Sequence, residues 1–347
     1  MVPGRRTTLS RAALAALALA ALAAPASAAA APGAATTQSA ADVRAYWTPE
    51  RMRDAAPAES LLEDLPAQPL APVAGGSGAT RIVGPSDPAP AERAGPLDGL
   101  LGGGGGASGR ATAIPNPRPA PLRTHGKVFF TLGAVDYVCS GTAITSRTKR
   151  TVVTAGHCVY GMVDGYAQNF EFVPAYDDGA TPFGEWTASR LYTTRGWHSS
   201  EDIRYDVGMA RMAKTGGRRL QAVVGGRGIG FNVKPDRYHA YGYPAEGDFD
   251  GETLFMCNSP AQGTDQSVPR PRPRRIDCDM TGGSSGGGWV VRERFVNSVV
   301  SYGYECGIGP LPLPIPCDNP EEGKLFGPYF GKQVQALYRK AQRRSSR

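Results

Sequence analysis

The chain of 347 residues carries four histidines, and one of them stands in Thr154-Ala155-Gly156-His157-Cys158, directly after an apolar run. A histidine beside a buried strand is ordinarily structural. It becomes a base near neutral pH when a carboxylate fixes its tautomer and stabilises its cation. Tyr205-Asp206-Val207-Gly208-Met209-Ala210 offers such an acid at the start of an apolar strand. Asp202 is the competing choice, but no strand follows it directly. The third piece is Thr281-Gly282-Gly283-Ser284-Ser285-Gly286-Gly287-Gly288-Trp289. A Gly/Ser tract is commonly a linker. This one lies between a strand ending near Cys278 and the apolar run Trp289-Val290-Val291, inside a folded region. Glycines let backbone N–H groups converge on one point, as an oxyanion requires, and Ser285 supplies a hydroxyl that a neighbouring base can activate.

These groups need a rigid scaffold, and the pattern beyond Ala111 is that of a β protein. Lys127–Leu132, Tyr137–Ile144, Thr151–Thr154, Gly184–Tyr192, Val207–Met212, Arg237–Tyr241, Thr253–Cys257 and Phe295–Ser301 read as strands, separated by Gly, Pro, Asn and Asp clusters. With 45 Gly, 30 Pro and 8% aromatic residues, a helical bundle is excluded. Val334, Leu337 and Tyr338 are spaced i, i+3, i+4, so Gly331–Arg343 reads as a C-terminal helix.

The first 110 residues differ. Arg5, Arg6 and Arg11 precede an apolar run from Ala12 to Ala24, and Ala26-Ser27-Ala28 supplies small residues for a signal peptidase, so residues 1–28 read as a signal peptide of a secreted, extracellular protein. No later stretch is apolar for about 18 residues, so no membrane span is expected once the signal is removed. Residues 29–110 are rich in Ala, Pro and Gly and read as a low-complexity pro-segment or linker that buries little apolar area. Within it, Thr48-Pro49-Glu50-Arg51-Met52 has a capping residue followed by Pro at the first helical position, beside Tyr46 and Trp47, so a short helix there could dock on the folded part. All six cysteines lie between Cys139 and Cys317. In an exported chain an even count reads as disulfides, with 15 connectivities open.

The three pieces, in the order His, Asp, Ser, resemble the chymotrypsin-like (trypsin-fold) serine peptidases over roughly Lys127 to Tyr338. Gly283-Ser284-Ser285-Gly286-Gly287 resembles the family's Gly-Asp-Ser-Gly-Gly motif, and Ser301-Tyr302-Gly303 resembles its Ser-Trp-Gly segment along the substrate cleft. Ile276 to Gly283 is similar to bacterial glutamyl-endopeptidase-like members. The chain departs from the pattern at Ser284, where the family has an acid, at Gly288, where it has Pro, and at Ser301, read as the place where glutamyl-specific members carry a His.

The resemblance implies an all-β domain over 111–347: two six-stranded antiparallel β-barrels, at about 118–232 and 233–330, closed by the helix at about 331–343. It implies a serine endopeptidase with His157, Asp206 and Ser285 as catalytic residues and the N–H groups of Gly283 and Ser285 as oxyanion donors. Asp279, Ser301, Tyr302 and Gly303 would bind substrate, Asp279 at the base of the specificity pocket or turned to solvent. The implied disulfides are Cys139–Cys158, Cys257–Cys278 and Cys306–Cys317. Polypeptides are the expected partners, with no nucleic acid, no metal and no other cofactor, and the chain is expected to be a monomer. Arg81-Ile82-Val83-Gly84 resembles the activation site of trypsin, but Ser284 offers no charge to a freed Ile82 ammonium, so zymogen maturation is expected after Arg110. The formal charge of +7 includes a run of Arg270, Arg272, Arg274 and Arg275 and a tail of Arg339, Lys340, Arg343, Arg344 and Arg347. These are solvated faces or, in an alternative reading, the surface of an inactive peptidase-fold module that binds acidic cell-wall or other polyanionic partners.

Overall fold

The computed structural model describes residues 1, 31–63, 78–87, 109–304 and 323–343. The expected signal peptide, Cys306, Cys317, Arg344 and Arg347 lie outside these residues.

The first barrel is a closed ring of six strands: β1 (His125–Leu132), β2 (Val135–Ile144), β3 (Thr151–Thr154), β4 (Gln168–Pro174), β5 (Trp186–Thr193) and β6 (Gly208–Met212). The order is β5-β4-β1-β2-β3-β6, and β6 pairs back with β5. Every pair is antiparallel. The stretches of edge that remain on β5 and β2 are taken by two segments from earlier in the chain. Alternation explains the core: Val128, Phe130 and Leu132 point to one buried cluster with Phe170, Phe172 and Trp186, whereas Phe129 points to another. The run of bulky apolar residues on both faces of β1 therefore needs a second cover outside the barrel.

Residues 31–63 supply that cover. Gly33–Ala35 adds a strand to β5, with Gly33 opposite Tyr192. The helix Ala40–Tyr46 and the helix Pro49–Asp54 follow, the second capped by the Thr48 hydroxyl with Pro49 in its first turn. Val43, Trp47, Met52 and Ala55 are buried, and the Trp47 ring lies 5.5 Å from Phe129. Burying such side chains is worth roughly 1.5–3 kcal/mol each. The expectation that this composition buries little is corrected here. A few large residues among many small ones suffice because the barrel already presents an apolar face to them.

The second half is built differently. Strands β7 (Gly228–Phe231), β8 (Arg237–Gly242), β9 (Phe255–Pro260), β11 (Gly288–Val291) and β12 (Phe295–Val299) form one sheet in the order β7-β12-β11-β8-β9, and β10 (Arg274–Asp277), β13 (Tyr302–Gly303) and β14 (Lys324–Gly327) form another in the order β10-β14-β13. The β7–β12 pair is parallel. The two sheets are joined by Asp277 N donating to Ser259 Oγ (3.0 Å) and by Ser301 N donating to the Phe326 carbonyl (3.0 Å). Segments from before the barrels extend the first of these sheets. Arg81–Val83 pairs with β7, and Ala111–Ala113 pairs with β9. Ile82 thus lies in a sheet-edge strand, half exposed. The helix Lys332–Ala341 buries Val334, Leu337, Tyr338 and Ala341, as its spacing predicts. The result is an all-β chymotrypsin-like two-barrel fold with a C-terminal helix.

The basic run before Cys278 is bonded internally. Arg272 Nε donates to the Val268 carbonyl and Arg275 Nε to the Gln262 carbonyl, while the Arg274 guanidinium lies 4.8 Å from the Tyr329 ring centroid. No helix of the described residues is long and apolar enough to cross a membrane.

Candidate active site

The loop after β3 turns on Gly156, whose carbonyl accepts from Val159 N and Tyr160 N at 3.0 Å each. Cys158 is bonded to Cys139 of β2, which ties the histidine loop to the barrel wall. His157 and Asp206 are both buried. Asp206 Oδ1 accepts from the His157 backbone N–H (2.8 Å), and Oδ2 pairs with Nδ1 of the ring (2.9 Å). This assigns the proton to Nδ1 and leaves the Nε2 lone pair free. Nε2 has no hydrogen-bond partner among the described residues. Burial pulls the His157 pKa down, but Asp206, by charge and hydrogen bond, and Glu59, by charge, together raise it above its ordinary value. Asp202 is turned elsewhere. Its carboxylate takes Arg204 Nε at 2.8 Å and Nη2 at 2.6 Å in a fork.

Asp206 has a third partner that the sequence reading assigned to a different task. Ser301 Oγ donates to Oδ2 at 2.5 Å. Ser301 was expected to line the substrate cleft; its side chain faces the buried acid, and Val300, Tyr302 and Gly303 line the pocket instead.

The glycine loop reaches the Asp206 partner Ser301, whose carbonyl accepts from Ser285 Oγ. Gly283 has φ +88°, and a Cβ there would lie 2.6 Å from the Tyr243 carbonyl oxygen, so only glycine fits. Ser284 Oγ donates to the Thr281 carbonyl (2.7 Å), and the loop is held further by Ser140 N to Ser285 O (2.7 Å), Gly286 N to Val300 O (2.8 Å) and Gly287 N to Ser284 O (3.0 Å). Backbone bonds therefore shape this loop without an acid at position 284. Gly288 begins β11 where a Cβ would approach Thr142 Oγ1 of the first barrel to 2.6 Å, so the residue in the place of the family's Pro lies at the seam between the halves. Ser140 Oγ donates to the Gly283 carbonyl (2.9 Å) and accepts from Tyr243 N (2.8 Å), a cross-barrel link that no motif announced. Cys257–Cys278 bridges β9 to the residue after β10, a few residues before the loop. Ser285 Oγ donates to the Ser301 carbonyl at 3.5 Å.

Beside Ser284 opens a pocket of ≈ 450 Å³, whose lining includes Glu59, Asp279, Met280, Tyr302, Gly303 and Tyr304. Tyr302 stacks on Phe326 and donates to Asp265 Oδ2 (2.7 Å), which fixes one wall. Asp279 lines the pocket but is already engaged. Its Oδ1 accepts from Ala111 N at 2.5 Å, and Oδ2 lies 3.8 Å from the exposed Arg110 Nε. The N–H groups of Gly283 and Ser285 are engaged too, by a residue the sequence reading did not single out: Glu59 Oε2 accepts from Gly283 N (2.7 Å) and Oε1 from Ser285 N (3.1 Å). Nothing in the surrounding Ala55-Ala56-Pro57-Ala58-Glu59-Ser60 marks that glutamate.

The described residues bring one group of potential metal donors together, Cys139, His157 and Cys158. The two sulfurs are joined in a disulfide and His157 Nδ1 is bonded to Asp206, so these residues do not fit an ion.

No protein-family model matches the chain. A curated relative, an extracellular metalloprotease of Bacillus subtilis, is 34% identical over 76 residues, and the chain spans only 23% of its length. Among solved structures, the protease Anisep from Arthrobacter nicotinovorans is 38% identical with a TM-score of 0.59, covering 67% of this chain and 99% of its own. A thermostable serine protease, AL20, from an extremophilic microorganism is 36% identical with a TM-score of 0.57, covering 65% and 99%. A Glu endopeptidase shares the fold, at 19% identity and a TM-score of 0.52 over 69% of this chain and 99% of its own. With nearly the whole of a protease aligned at this identity, the chain belongs to the bacterial serine proteases of the chymotrypsin fold.

Proposed function

We propose that the chain is a secreted serine endopeptidase that cleaves polypeptides through His157, Asp206 and Ser285. The observation that carries this reading is the buried His157–Asp206 pair and its link to Ser285 through Ser301, which donates its Oγ to Asp206 and accepts from Ser285 Oγ at its carbonyl. With substrate bound, Ser285 Oγ leaves the Ser301 carbonyl and attacks the peptide carbonyl carbon while His157 Nε2 takes its proton. The oxyanion that forms is held by the two N–H groups. Asp206 keeps the proton on Nδ1 and stabilises the imidazolium, which then protonates the departing amine. Water hydrolyses the acyl-enzyme by the same route in reverse. Asp279 is the pocket acid that would select Lys or Arg before the scissile bond, through the Oδ2 that faces Arg110 until that residue is cut away, while Oδ1 stays with Ala111 N.

Maturation after Arg110 fits the local geometry. The Arg110 side chain is exposed, and Ala111 is already paired with Cys257 in the sheet, so a new terminus there would stay in place.

Labelling with a fluorophosphonate, site-mapped by mass spectrometry, and hydrolysis of a peptide library test the reading. Ser285→Ala should abolish both, a loss of at least about 10⁴-fold, while Ser284→Ala should keep most of each. Labelling that persists in Ser285→Ala and vanishes in Ser284→Ala would move the nucleophile. A library preference for apolar residues before the cut would remove Asp279 from its role.

A further inference from the structure

Residues 31–63 do more than cover the barrel. After the helix Pro49–Asp54 the chain runs alongside β2, with Ala56 opposite Tyr137 and Pro57 opposite Val138. Ala58 N donates to the Val138 carbonyl (3.2 Å), and Ala58 is fully buried. This path delivers the next residue, Glu59, to the pair of N–H groups on the glycine loop, one carboxylate oxygen to each. The following helix, Ser60–Glu63, buries Leu62 and anchors the far side.

A carboxylate suits this position for chemical reasons. It presents a negative oxygen to donors built for an oxyanion, and such charge-assisted bonds are stronger than neutral ones. Its carbon offers a nucleophile nothing to displace, because the only leaving group on it is oxide. A serine facing it cannot form a lasting ester, so the contact is not a cleavage site. Glu59 also lines the pocket in which a substrate side chain would sit. Because the segment belongs to the same chain, its effective concentration at the site is on the order of millimolar, which competes well with dilute substrate. Bonds to the barrel hold the segment ahead of Glu59: the buried Trp47 donates its Nε1 to the Asn169 carbonyl at 2.5 Å, and Tyr46 and Arg51 are both bonded to Asp136.

We propose that residues 31–63 are a built-in inhibitor of the protease and that Glu59 is the group that closes the site, by occupying the Gly283 and Ser285 N–H groups until the segment is released. This rests on the reading of Ser285 as nucleophile. The charge carries a second signature. Glu59 is one of the groups that raise the His157 pKa, so its removal should lower that value.

The test uses the intact full chain, with integrity followed by mass spectrometry at early times, and the rate at which a fluorophosphonate labels Ser285. Glu59→Ala should raise that rate at least tenfold over wild type, and Glu59→Gln, which keeps the shape but not the charge, should fall between them. A gain of reactivity cannot come from misfolding, so the readout separates the idea from a damaged fold. In parallel, NMR of the imidazole should show the His157 pKa lower in Glu59→Ala. Equal labelling of wild type and both variants would overturn the inhibitor while leaving Ser285 as nucleophile. If no form labels at Ser285, even after the N-terminal segment has been trimmed by an added protease, the peptidase reading itself falls, and this proposal with it.

Discussion

The two halves of the molecule hold their parts of the site in different ways. The first barrel is a closed ladder of antiparallel strands, and its pair, His157 and Asp206, is fixed by adjacent strands, a disulfide and three hydrogen bonds to one carboxylate. The second half is two sheets with a parallel pair among its own strands, extended, like the first barrel, by two segments from earlier in the chain, and its contribution is a loop shaped by glycines and backbone bonds. The proposed base and the acid that orients it therefore come from the part with the most redundant support. The groups that meet the oxyanion are main-chain atoms, which need conformational permission more than packing.

If that contrast is right, the second half should be the more easily broken by a single methyl group. Gly283→Ala forces a residue with φ +88° into contact with the Tyr243 carbonyl and should displace one of the two donors. The expected loss in kcat/KM is about 10³-fold, roughly 4 kcal/mol, with the melting temperature little changed. A fully active variant would mean that the loop tolerates rearrangement and that the contrast is false.

The first barrel, in turn, should show its rigidity through a group it keeps buried at a cost. Glu171 of β4 is buried with neither carboxylate oxygen hydrogen-bonded among the described residues, and burial, with a smaller push from Glu185, raises its pKa to about 8. Between the unfolded value of 4.5 and the folded value of about 8, the native state holds a proton that the unfolded state has released. Stability should therefore fall as pH rises through that window, by on the order of 3–5 kcal/mol for this group. Denaturant unfolding of Glu171→Gln should remove that decline; identical pH slopes for variant and wild type would show that the barrel opens to hydrate the acid.

The disulfides sharpen the comparison further. Their sequence separations, 19 and 21 residues, are nearly equal, so the chain-entropy contribution is about 3 kcal/mol for each. Replacing Cys139 and Cys158 by Ala, or Cys257 and Cys278 by Ala, should then cost similar stability. The second change should additionally lower kcat, because that bridge precedes the loop of Ser285, the proposed nucleophile. Equal effects on kcat would place both bridges outside the chemistry.

The difference between the halves also governs what could be read before the structure. The strands of the first barrel are rich in β-branched and aromatic residues, and Lys127–Leu132 and Thr151–Thr154 are legible almost residue for residue. Strand β14 escapes a sequence reading because Lys324–Gly327 stands between a Pro-rich stretch and Pro328, whereas Thr151–Thr154, equally short, is two valines between threonines. Strand β4 was missed because Gln168–Pro174 interleaves polar and apolar groups across a bulge, which blurs the alternation. The histidine, the acid and the serine were visible because each sits in a motif whose local conformation demands particular neighbours. Ser301 was visible as a position but not as a direction. Glu59 was invisible, because its place is set by where helices and a barrel face deliver it, not by the residues beside it.

One feature of the docked segment reaches beyond the folded molecule. Every cysteine of the chain lies after it, so no covalent bond would retain residues 31–63 once the bond after Arg110 is cut. Before the cut, the inhibitor and its target share one chain, and dilution cannot part them. Afterwards they are two solutes, and rebinding depends on the concentration of free segment. Outside a cell that concentration falls without limit as the fragments diffuse apart. The same contacts that hold the enzyme silent at any dilution would then lose it by dilution alone, so the cut would act as a one-way step whose completion is timed by how far the protein has travelled from its source.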